Sequence, residues 1–290
     1  MNEDRAEKEF AIKKDERPRT RFVDNLNAIE VDMIDYPDAN RLKRVLVNMP
    51  RGSWYKDYIF DTDPLDVQSA HEDVLNGNVL GQAMEHPKFC FVVSGLSLHG
   101  THAMVRNRIG ICYIQQSHAV KDLRHEDVLV PRAFTKHPSL LAEYKEWVRQ
   151  GKEIYADLMD TGDIATTDAR FCLPKTIPSW LYVSVNLAAL LAIYAKRSDT
   201  QEEHPELNIS VELMKARVVT QFPFLSGSFK SACEQGRCLH QRKGYMANCV
   251  FKRNSSHGMT GEDNWTLHDK TKRELMLECK PYQDDPEGSS

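Results

Sequence analysis

Arg106-Asn107-Arg108-Ile109 stands shortly before Tyr113-Ile114-Gln115-Gln116-Ser117. Two guanidiniums and a hydroxyl so close in sequence form a donor set suited to an anion such as a nucleotide phosphate, whose oxygens match guanidinium forks and O–H donors. Two surface arginines paired with nearby acids are the alternative. A second group is Ala169-Arg170-Phe171-Cys172-Leu173-Pro174, where an arginine precedes an apolar turn; it is held beside a pocket or in a structural salt bridge. In the third, Asn186 opens Asn186-Leu187-Ala188-Ala189-Leu190, which leads to Lys196-Arg197. A buried amide needs partners, from the backbone or from a ligand. Arg197 falls near a helix C-terminus, where a cation is favourable in any case.

Metal chemistry is not expected. Cys233, Cys238, His240 and Cys249 would be the zinc set, but Cys249 has no near partner, and His86, His99 and His102 are scattered. Glycine-rich phosphate loops are absent.

The elements that must carry these groups are read from periodicity. Ala28–Val31, Val45–Val47 and Phe89–Gly95 read as strands, the last one buried and ended by Gly95. Residues 64–84 are polar with helical character. Helices are expected over Leu98–Arg108, Leu140–Met159, Trp180–Lys196 and Leu207–Val219. Arg106 and Arg108 would then lie on a helix at i and i+2 and face different ways. Ser139 is the expected cap of the second helix. Leu140, Leu141, Tyr144, Trp147, Val148, Ile154, Tyr155 and Leu158 are expected on its apolar face. Pro174 and Pro178 read as the entry to the third helix.

Length and composition bound the rest. The chain has 290 residues, 41% hydrophobic and 28% charged, as in a globular protein able to bury a sizeable core. Net charge of −4 argues against a general nucleic-acid binder. The longest apolar run, Leu187–Ala195, is too short to cross a bilayer. Residues Met1–Lys14 are charged and lack an apolar leader core. Seven cysteines without a framework spacing fit reduced thiols and a cytoplasmic setting. Residues 1–25 read as a charged arm, 26–225 as the functional domain, and 226–290 as a partly irregular C-terminal extension.

Four pieces, in order, resemble the signature of flavin-dependent thymidylate synthases. Met84-Glu85-His86 is similar to the family's "EH" element, and Val105-Arg106-Asn107-Arg108-Ile109 to its "RHRI". Ala169–Pro174 resembles its "AR-x-x-LP", and Val185-Asn186-Leu187 through Arg197 its "NLRSLxHFLxxR" helix. The resemblance covers roughly residues 30–225. It implies an α/β fold with a mixed sheet packed by long helices, assembled as a homotetramer with FAD and nucleotide where subunits meet. It implies transfer of one carbon from methylenetetrahydrofolate to C5 of a pyrimidine nucleoside monophosphate such as dUMP, with NADPH as reductant. By position, Arg106, Ser117, Arg170 and Arg197 would hold the nucleotide, with Arg197 near the reacting ring as the catalytic group. Glu85, Asn107, Arg108, Ile109 and Asn186 would hold the flavin.

The departures are specific. Asn107 stands for the family's central histidine, Ile111 for its first serine, Tyr113 for an asparagine, and Ala119-Val120 for a final Arg-Tyr. Ala188 and Ala192 replace an arginine and a His or Asn in the last helix. These losses favour a changed substrate or product, with hydroxymethylation or a cytosine or ribonucleotide substrate as variants. The alternative is a catalytically inactive homologue serving as a nucleotide-binding or assembly subunit. His102, His118, Lys121, Arg124 and Lys196 are the nearby side chains available to replace lost ligands.

Overall fold

A computed structural model describes residues 17–52, 81–198, 204–232 and 235. The expected helix over 64–84 lies almost wholly outside these residues, as do Cys233, Cys238, His240 and Cys249. The fold is α/β. Four strands form an antiparallel sheet in the order β2 (Glu30–Asp35), β3 (Lys88–Leu96), β6 (Ser179–Asn186), β4 (Ile111–Gln115). Strands β1 (Phe22–Asp24) and β5 (Val128–Val130) pair in parallel as a separate ribbon.

Alternation explains which sheet face is packed. Phe89, Phe91 and Val93 of β3 are fully buried, as are Leu181, Val183 and Val185 of β6 beside them. They meet apolar stripes from α1 (Ala39–Gly52), α2 (Leu98–Met104), α5 (Leu187–Arg197) and α6 (Pro205–Gln221) in one core. The long α3 (Pro138–Thr161) instead packs Val148 against the β1/β5 ribbon, and Tyr155 and Met159 against the region around the short α4 (Thr166–Ala169). Glu206 of α6 ties the layers: it accepts from Ser97 N (3.0 Å), Ser97 Oγ (2.7 Å) and Asn25 Nδ2 (3.1 Å).

Several expected elements differ. Val45–Val47 lies in α1, because Leu42 and Leu46, one helical turn apart, both face the core and the Asp38 carboxylate accepts from Asn40 N and Arg41 N at the helix start. Trp180–Val185 is strand, since Leu181, Val183 and Val185 alternate with Trp180, Tyr182 and Ser184. The helix begins only at Leu187 and is capped by Asn186, so Pro174 and Pro178 lead into a strand. Helix α3 starts at Pro138, which places Ser139 inside it and leaves His137 at the cap position. Its buried face is Val148, Gly151, Lys152, Tyr155, Ala156 and Met159, while Leu140, Trp147 and Ile154 are exposed.

Candidate functional site

The arginine motif is not helical. Helix α2 ends at Met104, and Arg106–Gly110 forms the loop that delivers the chain to edge strand β4. Arg106, Arg108 and Ile109 are exposed, Ile109 at 93%. Asn107 is occupied locally: its Nδ2 donates to the Met104 carbonyl (3.0 Å) and the Ala103 carbonyl (3.4 Å), closing the end of α2.

A backbone latch fixes where this loop sits. Gly110 has φ +71°, and its carbonyl accepts from Asn186 N at 3.0 Å. A Cβ at Gly110 would fall 2.7 Å from Asn186 Nδ2, so any other residue would both strain the backbone and push the Asn186 amide aside. Asn186 is the cap of α5, not a residue within it. Its Oδ1 accepts from Ala189 N at 2.8 Å, which satisfies one of the free amides at the helix start. Across the sheet Asn186 pairs with Lys88, and Leu187 N donates to the Pro87 carbonyl (3.0 Å) just after the turn carrying Glu85. Glu85, Asn107, Arg108, Ile109 and Asn186 therefore converge on one end of the sheet, joined by residues far apart in sequence.

Tyr113 adds a polar group beneath this loop. Its hydroxyl is buried and has no hydrogen-bond partner among the described residues. Burial pushes it well above the ordinary tyrosine range, and the nearby Arg108 guanidinium opposes that only in part. An unsatisfied buried hydroxyl is costly, so an acceptor brought by a ligand would be favoured there.

Ser117 is not beside these arginines, contrary to expectation. It follows the far end of β4, where Gln116 N donates to the Trp180 carbonyl (3.0 Å). Five strand residues at about 3.3 Å each put roughly 16 Å of rigid backbone between the two ends. Ser117 Oγ accepts from Ala119 N at 3.2 Å. Arg170, capping α4, belongs to this second end: its charge and that of Lys121 help lower the pKa of the neighbouring His118, although burial is the larger cause. His118 Nε2 lies 3.3 Å from the Pro178 carbonyl. Arg197 sits in the last turn of α5, 9% exposed, eleven residues on from Asn186 or ~16 Å along the helix.

The replacement ligands sort by what already holds them. Arg124 is fully buried against Asp160 (2.7 Å) and Asp122 (3.4 Å), and Lys121 pairs with Glu126 (2.7 Å). His102 and Lys196 are exposed. Sequence reasoning missed Gly110 as the latch, although a glycine directly after Arg-x-Arg-Ile was the visible signal.

Known proteins share this arrangement of elements. The chain superposes on a crystal structure of a UMP/dUMP methylase, PolB, from Streptomyces cacaoi bound with 5-Br dUMP. The TM-score is 0.58 at 19% identity, covering 72% of this chain and 96% of that one. The chain thus shares the α/β fold of that protein. Residues 35–224 match the family model described as thymidylate synthase complementing protein, and the chain belongs to that family. A flavin-dependent thymidylate synthase of Nitratidesulfovibrio vulgaris is 28% identical over 163 residues, 53% of this chain and 66% of that protein. Another, from Pyrococcus horikoshii, is 35% identical over 118 residues, 39% of this chain and 48% of that protein. The chain thus spans about half to two thirds of the length of these curated relatives.

Proposed function

We propose that this chain is a flavin-dependent enzyme that transfers one carbon to C5 of a pyrimidine nucleoside monophosphate such as dUMP. Methylenetetrahydrofolate is the donor, NADPH the reductant, and the working unit a homotetramer. The carrying observation is the convergence of Glu85, Arg108, Ile109 and Asn186 on one end of the sheet, with the Tyr113 hydroxyl beneath them lacking an acceptor among the described residues. FAD fits this donor set: exposed guanidiniums suit its phosphates, and exposed Ile109 suits an apolar ring. When bound, reduced flavin supplies the electrons that reduce the transferred carbon.

The chain's own residues bind and polarise. Arg106, Ser117 and Arg170 grip the nucleotide phosphate. Arg197, mostly buried at the end of α5, lies near the pyrimidine ring and stabilises negative charge on it as C5 becomes nucleophilic; a fixed cation in a partly dry site is effective because it does not reorganise. Arg106 and the Ser117/Arg170 group stand at opposite ends of β4, so a complete nucleotide site draws them from different subunits.

One observation favours the second reading, an inactive binding or assembly homologue: the Asn107 amide, where the family has histidine, is spent on the backbone of α2. A thermal-shift screen followed by mass spectrometry of the reaction with dUMP, methylenetetrahydrofolate, NADPH and FAD separates the two. The enzyme is stabilised by FAD and by a pyrimidine monophosphate and yields a heavier nucleotide. Protein that stays colourless after FAD addition and binds no pyrimidine nucleotide overturns the proposal.

A further inference from the structure

A pocket of about 380 Å³ opens between the first turns of α1, the end of β2 and the start of β3. None of the residues assigned above to nucleotide or flavin lines it. Its floor is apolar, from Leu42 and Met49, and Tyr36 forms one wall. The Tyr36 ring is held edge-on against Phe222 at 5.8 Å. Three basic side chains border the space, Arg41, His86 and Lys88, against one carboxylate, Asp35.

The backbone that carries these groups is held in place. Arg41 lies in the first turn of α1, whose start is fixed by the Asp38 carboxylate (2.9 and 3.0 Å). Lys88 is held by pairing with Asn186, and the Pro87 carbonyl by Leu187 N. Among the described residues no side-chain hydrogen bond or ion pair engages Arg41, His86, Lys88 or Asp35. Two exposed cations, Arg41 and Lys88, stand with His86 against one carboxylate beside apolar surface of small-molecule size, a setting that suits an anion attached to a flat or apolar body.

We propose that this pocket docks the anionic tail of a cosubstrate, a carboxylate or phosphate joined to an aromatic ring system. The inference rests on the proposed function, in which the folate donor and NADPH both have that chemistry. Arg41 and Lys88 take the anionic group, Tyr36 packs on the apolar part, and the flavin lies on the neighbouring stretch of the same sheet end.

The test titrates the full chain by calorimetry with 5-formyltetrahydrofolate in one arm and NADPH in the other, and with FAD and dUMP separately. At least one cosubstrate binds the wild-type chain. The Arg41→Ala, Lys88→Ala double variant weakens that binding about tenfold or more, because two charge-assisted contacts are lost, and leaves FAD and dUMP binding unchanged. Arg41→Lys, which keeps the charge, retains most of the affinity, and inorganic pyrophosphate competes on the wild-type chain without any substitution. Equal cosubstrate affinity in the wild type and the double variant overturns the pocket assignment. So does binding of FAD and dUMP by a wild-type chain that takes neither cosubstrate. Failure of FAD and dUMP themselves to bind overturns the functional reading instead.

Discussion

Gly110→Ala tests whether the arginine loop is latched to α5 as described. Alanine at φ +71° enters the left-handed region, at a cost of about 1–2 kcal/mol. Its methyl would also stand 2.7 Å from Asn186 Nδ2, 2.8 Å from Oδ1 and 3.0 Å from Ala189 Cβ. Asn186 must then swing away and release Ala189 N, and a lost N-cap costs about 1 kcal/mol more. The sum is roughly 2–3 kcal/mol, which in a domain of this size lowers Tm by roughly 5–10 °C. A double-mutant cycle isolates the latch. In an Asn186→Ala background the clashing amide and its cap are already gone, so Gly110→Ala should cost only its backbone strain, with a coupling of about 1 kcal/mol. Urea denaturation of the four proteins measures this directly. FAD titration should show weaker binding in Gly110→Ala than in the wild type, because the displaced loop carries Arg108 and Ile109. Full additivity of the two substitutions, or a Gly110→Ala cost below about 0.5 kcal/mol, would refute the latch.

Two further outcomes are expected. Lys152 is fully buried, donates to the Arg19 carbonyl (3.2 Å), and is pushed down to about 8 by burial from 10.5. The folded state then binds fewer protons than the unfolded one between those values, so stability rises with pH across that window, and roughly 3 kcal/mol of cost stands below it; Lys152→Met should flatten this rise in Tm measured against pH, and an unchanged slope refutes the assignment. Mixing inactive Arg106→Ala and Arg170→Ala chains and reassembling them should restore about a quarter of wild-type activity if each site takes one arginine from each of two subunits, whereas no recovery places both in one protomer.

Much of the fold was legible in the sequence, and the failures have local causes. Phe89–Gly95 was readable as a buried strand from its apolar run, although the strand does not end at Gly95 but passes through it, at φ +73°, to Leu96. The helices over Leu140–Met159 and Leu207–Val219 were readable because they are long and periodic. Trp180–Val185 was lost to helix because the apolar run Leu187–Ala195 continues it without a break in hydrophobicity. The signal that separates them is Asn186, a cap residue at the switch from period two to helical period. Val45–Val47 reads as strand by β-branching, yet the Asp38 cap and the Leu42/Leu46 spacing override that preference. The pocket at Arg41 and Lys88 left no sequence trace, since its walls come from segments brought together only by tertiary pairing.

The distance between Arg106 and Ser117 shows why a motif in sequence need not be a cluster in space. Residues that flank a strand are separated by the most extended backbone a protein has, and antiparallel pairing along β6 keeps that strand straight and rigid. A conformational change that brought them together would have to break the β4–β6 ladder, which also carries the Tyr113 and Ile111 side chains into the core. The two ends therefore present their side chains at separate places on one protomer. The first end is closed by glycine and an asparagine cap and opens to solvent through Arg106, Arg108 and Ile109. The second gathers Arg170 and Lys121 around buried His118, whose neutral form is favoured by burial.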